Sequence, residues 1–140
     1  MYYVNREQID ARLAAVAELS EALKSISENW TGSLLEGMAQ ERGLHLAIEI
    51  VTDVGNYLID GFMMRDASSY EDIVEITGAE GVYPSEMLPV LTELVKLRRP
   101  LVQDYYAWPR KELHPLTAKL AVLLPQFKTT VEQYVERELL

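Results

Sequence analysis

The chain has 140 residues, 49% of them hydrophobic and 25% charged, the proportions of an ordinary soluble globular domain. Its 13 Lys and Arg against 22 Asp and Glu leave a net charge of −9, which disfavours binding to duplex DNA, because phosphate affinity comes from basic side chains releasing counterions. Cys is absent and there are 2 His, so disulfides, thiolate metal sites and Cys nucleophiles are excluded, and neither a metal nor a cofactor is expected.

One domain over residues 1–140 is expected at this length. No apolar run approaches the roughly 20 residues of a membrane span, and Met1 opens no basic-then-apolar leader, so a cytoplasmic protein is expected. The charge is unevenly spread. Between Asp66 and Glu93 there are acids and no base, whereas Lys96, Arg98, Arg99, Arg110 and Lys111 share a short segment with one acid, Asp104. Such a patch suits a phosphate or a short single strand, and equally a solvated face.

The elements read as helices from end to end. Asn5 with Gln8 resembles a capping box, and Ile9, Leu13, Val16, Leu19, Leu23 and Ile26 follow as one stripe at steps of three and four. Asn29 to Ser33 breaks it. Leu34, Met38, Leu44, Ile48, Val51, Gly55, Leu58 and Phe62 then predict a second helix of about thirty residues, near 45 Å long. Ser68 with Glu71 and Ser69 with Asp72 offer two alternative caps for a short helix that stops at Gly78 or Gly81. Pro84 suits the first turn of a fourth helix with the stripe Met87, Leu91, Leu94, Leu97 and Leu101. The last helix starts near Pro115 and carries Leu116, Leu120, Leu123, Phe127, Val131 and Tyr134. No hairpin dipeptide or alternating run competes. The fold class is all-α: an antiparallel bundle of four long helices and one short one.

Pro100 removes an amide donor inside the fourth pattern and bends or breaks the chain where Arg98 and Arg99 are displayed. In a straight helix Arg98 and Tyr105 share a face, but Gln103 lies about 140° from Arg98. A bend at Pro100, or a second subunit, is needed to unite them.

The segment Leu97-Arg98-Arg99-Pro100-Leu101-Val102-Gln103-Asp104-Tyr105-Tyr106 resembles the signature of the HEPN superfamily, in particular its HepT-like branch. That signature runs Arg, usually Asn, three variable or apolar residues, His, any residue, Tyr. Arg98, the pair Leu101-Val102 and Tyr105 match it. Glu41-Arg42 with Leu44, Leu46, Ala47, Ile48 and Glu49 resembles the family's second helix, and Ser69-Tyr70-Glu71-Asp72 its inter-helix segment. The likeness covers nearly the whole chain.

The resemblance implies a metal-independent ribonuclease, the toxin of a HepT/MntA-type toxin–antitoxin pair, working on RNA as a homodimer. In such enzymes His transfers protons at the ribose 2′-OH and the leaving oxygen, and Arg stabilises charge at phosphorus. Here Arg99 stands at the Asn position and Gln103 at the His position. An amide does not titrate near neutral pH, and losing general acid–base help typically costs 10²–10⁴-fold. The site expectation is therefore Arg98 and Gln103 in the catalytic positions, with Arg99, Asp104, Glu49 and Asp53 in support. The two acids Glu49 and Asp53, one i,i+4 step apart, are expected to face the motif, as catalytic support or as structural ion pairs. His45 reads as a partly buried helix residue and His114 as a turn residue; neither has a motif-like neighbourhood. Tyr105 matches the residue to which a nucleotidyltransferase antitoxin of MntA type adds AMP; it also reads as a packing aromatic. Three functions follow: a HepT-like ribonuclease, an inactive HEPN-fold module binding nucleotide, RNA or a protein partner, and a plain helical scaffold.

Overall fold

The computed structural model describes residues 2–140, and among them there are six α-helices and no strand. The first expected helix is two, α1 (Arg6–Ala14) and α2 (Val16–Glu28), joined at Ala15, whose amide turns back to Arg12 at 3.1 Å. Asn5 caps α1 by accepting the Gln8 amide. The long second helix is α3 (Leu34–Gly61), 28 residues. Ser33 and Glu36 form its capping box, and hydrogen bonds from Thr31 and Ser33 hold the Glu36 carboxyl down at about 2.

The short helix α4 (Tyr70–Ala79) starts at Ser69, whose hydroxyl accepts the Asp72 amide; of the two caps, this is the one used. Gly81, at φ 80°, makes the left-handed turn out of it. Pro84 is a correction: it sits in the turn before α5 (Met87–Lys96), where its carbonyl accepts the Met87 amide. Pro89 then falls in the first turn of α5, where no amide donor is missed. The chain goes on through a π turn (Arg99–Gln103) and a 3₁₀ turn (Tyr105–Ala107) to α6 (Pro115–Glu138). His114 caps α6, with Nδ1 accepting the Leu116 amide.

The helix α3 runs through the middle of the bundle and touches α1, α2, α4, α5 and α6, while α2 packs along α6. Val4 lies on Gly61 and Leu23 on Gly43, so α1 and α2 run antiparallel to α3. Leu23, Leu44, Ile48, Leu58, Leu91, Leu94, Leu120 and Leu124 are fully enclosed. Each such side chain contributes about 1.5–3 kcal/mol by leaving water. Of the expected core residues Leu34 and Met38, at the start of α3, are more than half exposed. Among the described residues no helix is long and apolar enough to cross a membrane.

Candidate functional site

The basic segment leaves the regular α-helix where Pro100 lies. The amide of Asp104 donates to the carbonyl of Arg99, five residues back, at 3.0 Å. A turn closed over five residues instead of four carries residue 103 back over residue 98. The 140° separation expected for an α-helix thus narrows within one chain. Leu101, 6% exposed, points inward from the turn and ties it to the core.

Arg98 and Gln103 consequently line the same cleft, with Ser69, Tyr70, Glu71, Val95, Lys96 and Arg99. The cleft is open to solvent and holds about 300 Å³. One wall is the start of α4; the other is the end of α5 and the π turn. The Arg98 guanidinium lies over the Tyr70 ring, 4.2 Å from its centroid, and its Nε is buried without a hydrogen-bond partner. Arg99 is mostly exposed and pairs with Asp104 at 3.6 Å. The cleft can therefore offer guanidinium and ammonium donors to a phosphate and an amide from Gln103 to a neighbouring oxygen.

The α4 wall is fixed from behind. Arg65 grips Asp72 with two bonds of 2.8 Å, and Ser68 donates its amide and hydroxyl to the same carboxylate. These contacts hold the Asp72 carboxyl far below the usual carboxylate range, the Arg65 bonds most of all.

The loop after the motif is pinned to the first turns of α3. Arg110 pairs with Glu41 at 2.7 Å and also donates to the Tyr105 carbonyl at 2.9 Å. Gln40, fully buried, donates to the Glu112 carbonyl and accepts from the His114 amide and the Thr117 hydroxyl. Gly37 lets the Arg110 backbone approach so closely that a Cβ there would lie 1.7 Å from its carbonyl oxygen. Trp108 stacks on His114, and burial lowers the His114 pKa from its ordinary value.

Glu49 and Asp53 require a correction. They do not face the motif. Asp53 pairs with Arg12 and Glu49 with His45, both at 3.3 Å, and both acids line a separate groove between α3 and the α1–α2 pair. Their face of α3 is turned toward the N-terminal helices, away from the cleft. Tyr105 also lies outside the residues lining the cleft. It is 56% exposed on the 3₁₀ turn and meets Tyr106 edge-on, with centroids 5.9 Å apart. Neither His45 nor His114 lines the cleft. Among the described residues no three His, Asp or Glu side chains gather as a metal-binding group.

Sequence reasoning placed Lys96 in the basic patch but not at the site, and missed the role of Tyr70 beside Arg98. A signal existed: Tyr70 is the first helical residue after the Ser69 cap, where a side chain projects beyond the helix end.

The family model described as ribonuclease HepT-like matches residues 7–123. YutE of Bacillus subtilis, provisionally named an RNase, is 36% identical over 139 residues, 99% of this chain and 95% of YutE. The solved structure of a Bacillus subtilis YutE, described as a cytosolic protein of unknown function, superposes with a TM-score of 0.86 at 32% identity, over 99% of this chain and 96% of that one. With the helix order and the Arg98 segment in place, the chain belongs to the HepT-like ribonuclease family of the HEPN superfamily.

Proposed function

We propose that the protein binds single-stranded RNA through the cleft at the π turn, as the ribonuclease-type member of a HepT/MntA-like toxin–antitoxin pair, with proton transfer impaired by Gln103. The observation that carries this reading is that Arg98 and Gln103 line one cleft. Arg98 stabilises charge on a phosphodiester. Gln103 orients the adjacent 2′-OH by hydrogen bonding but transfers no proton, so cleavage runs about 10²–10⁴-fold below that of a His-bearing site. The test is binding and cleavage of a labelled single-stranded RNA by the wild type, Arg98→Ala and Gln103→His. Binding lost in Arg98→Ala, with cleavage raised in Gln103→His, supports the reading; binding indifferent to Arg98 removes it.

A homodimer belongs to the same proposal. Exposed Leu34, Leu35 and Met38 start α3 next to Gly37 and Glu41, on which the loop after the motif sits. A two-fold axis through this face would bring two clefts together. The compartment proposed is the cytoplasm, which fits the cytosolic description of the YutE structure.

The exposure of Tyr105 favours a second function for that residue. Its hydroxyl is open to a nucleotidyltransferase partner, on which the phenolic oxygen attacks the α-phosphorus of ATP and gives up its proton to a base of that partner, pyrophosphate leaves and AMP remains on Tyr105. Co-expression with such an enzyme, followed by mass spectrometry of the Tyr105 peptide, tests it. AMP on Tyr106 or on neither tyrosine counts against it.

A further inference from the structure

Three arginines lie in the segment from Arg98 to Arg110, and they are held in different ways. Arg99 pairs with Asp104 and Arg110 with Glu41. Among the described residues Arg98 forms no ion pair; its guanidinium rests on the face of Tyr70 at 4.2 Å. The difference matters for an anion site. An arginine clamped by a carboxylate must break that pair before its donors can turn to a phosphate. An arginine held by an aromatic face has no such pair to break, because the ring attracts the cation through its π cloud. Arg98 Nε faces into the protein without a partner, so the terminal nitrogens carry the donors available to the cleft.

Tyr70 is well placed to act as a fixed support. It is the first residue of α4, behind the Ser69 cap, and the Arg65–Asp72–Ser68 contacts hold that helix end. Tyr70 is 42% exposed and lines the same cleft. Its hydroxyl is not needed for the stack.

We infer that Tyr70 is the positioning residue for Arg98: its ring holds the guanidinium, which among the described residues no carboxylate pairs, in the cleft where it meets an RNA phosphate. The inference rests on the RNA reading for the identity of the ligand, and on the ring–guanidinium geometry for the rest.

The experiment compares the full chain with Tyr70→Phe, Tyr70→Leu, Arg98→Ala and the double variant Tyr70→Leu/Arg98→Ala. Binding of a fluorescein-labelled single-stranded RNA is measured alongside titration with inorganic phosphate followed on the Arg98 side-chain Nε–H resonance. Thermal melting confirms that each variant folds. In the free protein the Tyr70 ring displaces the Arg98 resonance upfield; Tyr70→Phe keeps this displacement and Tyr70→Leu removes it. Affinity falls about three- to thirtyfold in Tyr70→Leu, the range of a partly desolvated cation–π contact, and stays within twofold in Tyr70→Phe. In the Arg98→Ala background Tyr70→Leu has no further effect on binding. A wild type that ignores RNA but binds phosphate in a Tyr70-dependent way sinks the RNA reading and retains the inference. Equal affinities in wild type and Tyr70→Leu, or equal losses in Tyr70→Phe and Tyr70→Leu, overturn it.

Discussion

The carbonyl of Arg99 accepts the amide of Asp104 across five residues, and the side chains of the same two residues pair at 3.6 Å. This single turn decides where Gln103 goes. Pro100, lacking an amide donor, disfavours the regular α-helix that would point Gln103 away. Pro100→Ala is therefore expected to raise the melting temperature while weakening RNA binding, because the segment then closes as an α-helix. Calorimetry and a binding titration on the same sample check both halves.

Arg98→Ala is expected to fold. Arg98 has no ion pair to lose, and its ring contact is worth about 0.5–2 kcal/mol. Denaturant unfolding should show a small loss, while RNA binding disappears. A variant that fails to fold would place Arg98 among the structural residues.

Gln103→His should restore a proton carrier beside Arg98. Ribonuclease activity is expected to rise tenfold or more, within the range of general acid–base catalysis, with a pH dependence near the imidazole pKa of about 6.5. The gain should vanish in an Arg98→Ala background. Activity in the wild type equal to that of Gln103→His would show that another group moves the proton.

Gly37→Ala should disturb the site from a distance. Its Cβ meets the Arg110 carbonyl oxygen at 1.7 Å, and backbone cannot step aside as a side-chain tip can. Overpacking of this kind costs about 1–3 kcal/mol. Both urea stability and RNA binding are expected to fall.

Beside Glu36, two groups contribute to the acid limit of stability. The folded pKa of His114 is lowered by burial, so its contribution is present above about pH 6.5 and declines as pH falls from there towards the folded value. The folded pKa of Asp72 is lowered by Arg65 and Ser68, so its contribution is present above about pH 4 and is lost as pH falls further. Asp72→Asn should move the acid-unfolding midpoint, followed by circular dichroism, to higher pH. An unchanged midpoint would mean that the Arg65 clamp does not hold α4 in place.

The helices were legible because their signals are local. Asn5 with Gln8 and Ser69 with Asp72 cap the ends that their spacing announces, and the buried leucines recur at helical steps. The break at Ala15 was not, since Ala carries no helix-stopping chemistry and the stripe runs through it. At the site, Pro100 announced a departure from the α-helix but not its kind; a π turn has no composition of its own. Glu49 and Asp53 were misplaced because an i,i+4 pair fixes a helix face but not which neighbour that face meets. Tyr70 lies 28 positions before Arg98, and their stack belongs to the packing of α4 on α5, which periodicity does not reveal.

The buried Gln40 has a kinetic consequence. Its partners Glu112, His114 and Thr117 lie 72 to 77 residues further along the chain, so none of its bonds can form until α3 and the start of α6 have met. Contacts of such long range form late and open as a unit. The amides of His114 and its neighbours should exchange with solvent together. The α3 helix can be complete early, but the loop from Tyr105 to His114 takes its final position only when Gln40 is enclosed.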